Sequence, residues 1–525
     1  MTQNPTPLTA LTPFENADIR TLVDEQAALR GAHPFLVWEP FEGEGRTWTH
    51  AAFGQAVRRF AAGLQARGVQ PRERVLVHLD NCPESVIAWL GCAYAGAVPV
   101  TTNTRSSADE LAYFARHSGA VAGITQPRFA AQVRDAGPAL AWIAVTATDN
   151  GAPAVAPGDG FLRFDQVEAD PATLAERPHD PLAPFGIQYT SGTTSRPKAV
   201  LWTHANALWG ARLCAQHEDL RPDDVHLVHL PLFHTNAQVY SVLASLWVGG
   251  TAVLLPRFSA SRFWPVSLRH RCTWTSMVPF CVRALLAHPV PPRHSYRLWG
   301  SGVSSPPTDA HFRVKTIGWW GMTETITHGT IGSVHRPNPP LSMGRPAPGY
   351  EIHVLDADGR PVAPGETGDL YVRGRRGVSL FLEYANDPEA TAAAFRDDGL
   401  FITGDRVRLG HDGALYFADR AKDMLKVGGE NVAASEIERV IAAVPGVAEV
   451  AVVGRKHPML DEVPVAFVIA APAPEGGLPA RIAQVCAAQL ADFKQPREIR
   501  LVDSLPRSTL EKVAKARLRA LLAEG

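Results

Sequence analysis

The chain of 525 residues carries 51 Lys and Arg against 52 Asp and Glu, a net charge of −1, so no bulk field draws it to nucleic acid or an acidic membrane. Apolar residues make up 46% and charged residues 20%, an ordinary globular balance, and no apolar run approaches the ~20 residues of a membrane span. The length exceeds what one core supports and predicts two or more domains.

The first residues show no basic stretch followed by an apolar one, so no signal peptide is read. Over 51–67, Phe53, Val57, Phe60, Ala61 and Leu64 share one helical face, and Gly68 stands where the helix would stop. A strand at 74–79, a helix at 83–95 opened by Pro83 and Glu84, a strand at 98–101, a helix at 108–117 and a strand at 120–125 follow. Such alternation predicts parallel βαβ units with ligands at the carboxyl ends of the strands. Residues 137–183, rich in Ala, Pro and Asp, read as a connecting stretch. A second α/β run takes a helix at 206–217, a strand at 224–230, a helix at 238–248 and a strand at 251–255. From about 340, short strands at 350–355, 368–373 and 413–417 predict a β-rich subdomain. Beyond 419 comes a smaller α+β unit, with helices at 434–443, 479–490 and 510–523 and strands at 448–453 and 463–470. The six cysteines, Cys82, Cys92, Cys214, Cys272, Cys281 and Cys486, are scattered and read as buried thiols of a reducing cytoplasm.

Five motifs carry chemistry. Residues 189–200 place Ser191, Thr193, Thr194 and Ser195 around Gly192, with Arg196 and Lys198 flanking Pro197. Backbone N–H groups, short hydroxyls and two cations can cradle a polyanion there, although a polar surface loop has the same composition. It is not the nucleotide P-loop, which needs two glycines and then Lys-Ser/Thr. Residues 318–325 combine Trp320, Gly321, Thr323 and Glu324: an aromatic face for a base, a hydroxyl for phosphate and a hard carboxylate for Mg²⁺. Asp405, in the turn Thr403-Gly-Asp, can accept ribose hydroxyls. Residues 419–431 pack charges and then Gly428-Gly429 between a strand and a helix, and a lysine, Lys512, follows Pro506-Arg507 near the end of the chain.

The ordered set resembles the adenylate-forming enzymes: acyl-CoA and aryl-CoA synthetases, peptide-synthetase adenylation domains and luciferases. The resemblance implies an α/β fold: a large N-terminal domain over 1–418, made of two α/β subdomains plus a β-rich one. A hinge at 419–423 and a small mobile α+β domain over 424–525 complete it. It implies phosphate contacts from Thr190, Ser191, Gly192, Thr193, Thr194 and Lys198, and nucleotide contacts from Gly300, Ser301, Trp319, Trp320, Gly321 and Asp405. Trp320 would cover adenine, Thr323 touch the α-phosphate and Glu324 hold Mg²⁺. Arg420 would bind ribose or phosphate, Lys422 serve as hinge, Gly428 and Gly429 line the pantetheine path, and Lys512 approach the reacting carboxylate. The segment 231–236 resembles the acyl-CoA synthetase stretch at the acyl pocket, placing His234 between the carboxylate and the CoA tunnel. With Ser195 it is similar to the carnitine/crotonobetaine-CoA ligase branch. Pocket walls would be Trp209, Asn236, Gln238, Val239, Ser301, Trp319 and Thr325. The chain departs from the family pattern at Ser195, Ala199 and Glu511, each of which replaces a glycine.

The implied function is an ATP-dependent carboxylate–CoA ligase that passes through an acyl-AMP, using ATP, Mg²⁺ and coenzyme A on a small carboxylic acid. A stand-alone enzyme loading a carrier protein, or a nucleotide-binding relative without activity, are the alternatives. A cytoplasmic protein with no nucleic-acid partner and no membrane span, able to form a homodimer, completes the expectation.

Overall fold

The computed structural model describes residues 13–154, 158–190, 197–420, 424–471, 477–506 and 513–523; for 419, 420 and 516 it describes the backbone alone. Two large sheets with parallel centres form the bulk of the molecule. The first has nine strands, of which Pro34–Trp38, Thr251–Leu254, Val225–Val228, Trp274–Ser276, Leu298–Ser301 and Lys315–Gly321 run parallel in that spatial order. The second has eight; Pro184–Thr190, Val98–Thr101, Arg74–His78, Ala122–Thr125 and Ile143–Val145 are parallel neighbours, and Lys198–Thr203 pairs antiparallel with Pro184–Thr190. Val98–Thr101 and Thr251–Leu254 are buried at every position, as strands covered on both faces must be.

Helices fill the space around the sheets. Pro83–Ala95 buries 11 of its 13 residues, so it has no solvent face and lies inside the core. His50–Ala66 starts on Thr49, whose Oγ1 accepts from the Ala52 N–H at 3.2 Å, and Gly68 beyond its end takes φ +82°, a left-handed value that suits glycine. The predicted α/β alternation is therefore observed.

Three local expectations need correction. The 137–183 stretch is more than a connector: Ile143–Val145 and Leu162–Arg163 extend the second sheet, with strands too short to show periodicity. The helix expected at 238–248 begins earlier as an eight-residue π-helix, Asn236–Leu243, before the α-helix Ala244–Val248. The last helix is Lys515–Ala523; Val513 and Ala514 stand outside it, and the expected part at 510–512 lies outside the described residues.

Four antiparallel strands, Glu351–Leu355, Thr367–Arg373, Phe401–Leu409 and Leu415–Arg420, make the β-rich part. Beyond it a separate five-stranded sheet holds Met424–Val427, Glu430–Ala433, Val447–His457, Asp461–Ala470 and Glu498–Leu501. Strand alternation gives that sheet two apolar faces. Val452, Ala466 and Val468 pack with helices Ala434–Ala442 and Leu478–Gln489, whereas Ala451, Val453, Val465 and Phe467 pack with Leu518 and Leu522 of the last helix. Both cores draw only on residues from 425 onward, so the C-terminal unit has a hydrophobic interior of its own. Among the described residues no helix is long and apolar enough to cross a membrane.

Candidate active site

Parallel strands expose their carboxyl ends along one rim, and the rims of the two large sheets meet there. From the first sheet, Lys315–Gly321 delivers Trp319, Trp320 and Gly321, followed by the 3₁₀ turn Thr323–Thr325. From the second, Pro184–Thr190 and Lys198–Thr203 stand in antiparallel register with Thr190 opposite Lys198. These two residues bracket the 191–196 loop. The loop itself (Ser191, Gly192, Thr193, Thr194), Lys422 and Lys512 lie outside the described residues.

A buried polar network ties the rims together. Thr235 Oγ1 donates to Gln188 Oε1 at 2.8 Å and lies 3.3 Å from Thr323 Oγ1. Gln188 in turn donates to Gln238 Oε1, and Gln238 Nε2 reaches Thr101 Oγ1 at 3.3 Å. Trp202 Nε1 donates to the Thr323 carbonyl at 2.9 Å. The Thr-Glu turn is thus tied to the opposite sheet through Thr235 and Trp202, and Thr101, Gln188 and Trp202 come from stretches that carried no motif role. Ile326, which ends the turn, holds φ +63°, a conformation that β-branched side chains rarely adopt and that costs on the order of 1–3 kcal/mol.

Glu324 is buried, and Tyr384 donates to its Oε1 at 2.9 Å. Desolvation raises its pKa, opposed by the Tyr384 hydrogen bond and by Lys198. Lys198 Nζ stands 4.4 Å from the Tyr384 ring centroid, so the cation, the phenol and the carboxylate form one cluster. Tyr384 sits on the strand Glu383–Tyr384 at the edge of the second sheet and was not anticipated.

The two adjacent tryptophans part company, as side chains on a strand do. Trp320 packs against Gly329 and donates Nε1–H to Asp405 Oδ2 at 2.8 Å, joining two predicted nucleotide residues. Asp405 stands opposite Arg420 in register. Trp319 turns to the other face, stacks on His328 at 4.5 Å and lies over Gly300. A Cβ on Gly300 would sit 1.7 Å from the indole, so only glycine fits there. Of the predicted pocket walls, Trp209 donates to the Tyr350 hydroxyl at 3.2 Å, Tyr350 in turn donates to the Thr325 carbonyl, and Val239 packs on Gly210.

The small domain closes the site from the other side. Gly428 and Gly429, φ +59° and +91°, form the two-residue turn between Met424–Val427 and Glu430–Ala433. Crowding does not demand glycine here: a Cβ on Gly429 would meet only Val278 at 3.8 Å, and the positive φ is the constraint. Just after the turn, Glu430 meets His234 Nε2 at 3.1 Å. Burial would lower the His234 pKa, but the Glu430 carboxylate outweighs it and the net shift is upward; Glu430 shifts down in response. Nearby, Arg105 pairs with Asp492 at 2.7 Å, Ser107 Oγ donates to the Gln489 carbonyl at 2.8 Å, and Arg283 pairs with Asp461 at 2.8 Å. Lys494 is buried between Glu110 and Glu436, 2.9 Å from the latter.

A cleft where a Thr-Glu turn is tied to the strands Pro184–Thr190 and Lys198–Thr203, with an aromatic–Asp pair beside it, defines an adenylate-forming enzyme. The chain belongs to the AMP-binding enzyme family, matching it over residues 23–384, and residues 436–512 match that family's C-terminal domain. It is similar to crotonobetaine/carnitine–CoA ligase of Salmonella choleraesuis (strain SC-B67), 33% identical with 96% of this chain and 99% of the relative covered. It is also similar to the anthranilate CoA ligase solved with anthranoyl-AMP (26% identity, TM-score 0.72, 98% of each chain). A double mutant of Bacillus subtilis o-succinylbenzoate CoA synthetase bound to its product analogue superposes with TM-score 0.81 at 26% identity, covering 95% of this chain and 98% of that one. The same synthetase in complex with AMP, over the same shares of both chains, gives 0.67 at 27% identity.

Proposed function

We propose that this cleft activates a small carboxylic acid with ATP and then hands the acyl group to coenzyme A, as an AMP-forming acid–thiol ligase. The observation that carries the reading is the network Gln188–Thr235–Thr323, in which Thr235 ties the Thr-Glu turn of one sheet to the hairpin of the other. In the first step a carboxylate oxygen bonds to the α-phosphorus and pyrophosphate leaves. No general base is required, because a carboxylic acid of pKa ~4–5 is ionised at neutral pH. The difficulty is to bring one anion to another, so catalysis rests on position and on compensating charge.

Lys198, Thr190 and the 191–196 loop hold the phosphates, Trp320 and Asp405 hold the nucleoside, and Thr323 contacts the α-phosphate. Glu324 fits Mg²⁺: it is a buried carboxylate ill served by solvent, and Mg²⁺ takes one or two carboxylates alongside substrate phosphates. The ion, when bound, neutralises charge developing on the phosphates. Lys512 supplies a further cation for this step.

In the second step the CoA sulfur bonds to the acyl carbon and AMP leaves. The present domain arrangement suits this half-reaction. The 428–430 turn stands at His234, and the better superposition on the product-analogue complex than on the AMP complex of one synthetase supports the same assignment. Glu430 favours the imidazolium of His234, which therefore offers positive charge to the departing phosphate. Residues 419–423 join the large domain to the small one, and Lys422 is the pivot between the two half-reactions. The chain pairs in this reading as a homodimer, which sedimentation at assay concentration tests.

The test is pyrophosphate release across a panel of carboxylic acids, with and without CoA. Acid-dependent release with CoA-dependent turnover is expected. Release without any CoA effect would favour a carrier-loading enzyme, and no release from any acid would overturn the ligase reading.

A further inference from the structure

The nine-stranded sheet turns one face toward the π-helix Asn236–Leu243 at the carboxyl ends of its strands, where parallel sheets bind ligands. Ser276 and Gly300 stand in register on neighbouring strands, as do Trp274 and Leu298 two residues earlier. Trp274 and Ser276 therefore project from the face on which a Gly300 Cβ would lie. That Cβ would meet the Trp319 indole at 1.7 Å, which places the ring on the same face. The π-helix packs across it: Tyr240 is edge-on to Trp319 at 5.6 Å, and its hydroxyl lies against Gly321. π-Helical turns are rare and occur frequently at functional sites.

Two unpartnered groups on this face point to a ligand. Ser276 is buried, and its Oγ has no hydrogen-bond partner among the described residues; Asn236, which opens the π-helix, leaves Oδ1 unpartnered in the same way. Buried polar atoms are nearly always paired, so these two are left for a group that the fold does not supply. Asn236 follows Thr235, whose Oγ1 lies 3.3 Å from Thr323 Oγ1, and this end of the space therefore adjoins the Thr-Glu turn. At the other end the indole is held fast. His328 stacks on it at 4.5 Å and Trp274 stands 6.2 Å away, itself fixed by donating Nε1–H to Glu218 Oε2 at 2.6 Å. His328 and Trp274 are 0% exposed, Tyr240 4% and Trp319 7%, so the indole is the member of this box nearest the cleft.

We propose that Trp319 is the floor of the acyl pocket and restricts the enzyme to short carboxylic acids, whose chains end against the indole beside Ser276 and Asn236. This rests on the ligase reading and names the residue that sets the length of its substrate. The floor does not yield, because the rings around the indole are buried and close-packed, and such packing resists displacement. One methylene too many for a pocket costs about 10–200-fold, so a fixed floor discriminates sharply by length. Removing the indole opens the space above Gly300, which has no side chain to refill it.

The experiment measures acid-dependent pyrophosphate release over unbranched acids from propanoate to decanoate, each beside its terminal-hydroxy counterpart. In the wild type kcat/KM should fall by about 10–100-fold between butanoate and octanoate. Trp319→Gly should raise the octanoate-to-butanoate ratio by about the same factor, and Trp319→Leu should give a ratio between the two. The ratio is insensitive to a general loss of folded enzyme, which lowers both activities alike. A wild type that uses octanoate or a bulkier acid as well as butanoate, or a ratio unmoved in both variants, overturns the floor and leaves the ligase reading intact. A raised KM for ATP at an unmoved ratio overturns it too, and returns Trp319 to the nucleotide site. No pyrophosphate from any acid of this series or the wider panel overturns the ligase reading and the floor together.

Discussion

Glu430 and His234, 196 positions apart in the chain, meet at 3.1 Å and join the small domain's glycine turn to the rim of the catalytic cleft. Their titrations set a pH window for this arrangement. His234 is raised above its usual 6.5, so its contribution is complete below 6.5 and fades as pH climbs through the raised value. Glu430 is lowered from its usual 4.5, so its contribution is complete above 4.5 and fades as pH falls through the lowered value. Thioester formation from supplied acyl-AMP should therefore hold across neutral pH and decline on the alkaline side. Glu430→Gln should move that alkaline limb to lower pH, read from the rate of AMP release against pH; an unmoved limb would assign it to another group.

Lys494 should matter to the second half-reaction alone. Its ammonium joins Glu110 of the large domain to Glu436 of the small one, all three being buried. The attraction of the two carboxylates overcomes desolvation and holds its pKa above the usual lysine value. Lys494→Met leaves two buried acids facing each other, a change that costs about 3–5 kcal/mol in comparable settings. Thioester formation should slow by on the order of 10²-fold or more, while acid-dependent pyrophosphate exchange stays within a few-fold. Equal losses in both steps would mean that the lysine supports the fold of one domain and not the docking of two.

Gly429→Ala tests the turn. At φ +91° an alanine is strained by about 1–2 kcal/mol, although the space for its Cβ is open. The expected result is a slower second step, by roughly 5–30-fold, with adenylation preserved. Gly428→Asn, at φ +59°, should be milder, because asparagine tolerates the left-handed region. If the two variants behave alike, crowding by the incoming thiol and not backbone strain is the constraint.

Much of this was legible in the sequence because the family's contacts cluster in short motifs. Trp320, Thr323, Glu324 and Asp405 could be placed from local pattern, and the structure brings Trp320 and Asp405 into a 2.8 Å hydrogen bond. What local pattern could not supply were partners that meet only through the fold. Tyr384 lies 60 positions from the Glu324 it supports, and Gln188 lies 47 from Thr235. Lys494 reads as one more surface charge until Glu110, 384 positions away, is placed against it. Ile143–Val145 and Leu162–Arg163 escaped for a different reason, since strands of three and two residues carry no measurable period.

The division of labour between the domains can be tested at Lys512 and Lys422. In the proposed cycle Lys512 approaches the α-phosphate only while the carboxylate attacks it, and the glycine turn at His234 takes that side of the site in the second step. Lys512→Ala should therefore lower adenylation by on the order of 10²–10³-fold, as for other fixed charge stabilisers, and leave thioester formation from supplied acyl-AMP nearly unchanged. Lys422→Pro should give the reverse pattern, because proline fixes φ near −65° at the residue proposed as the hinge. Measuring both half-reactions in both variants separates a moving domain from a static one. If each substitution slows both steps equally, one fixed arrangement serves both, and the interface of His234, Glu430 and Lys494 persists through the whole cycle.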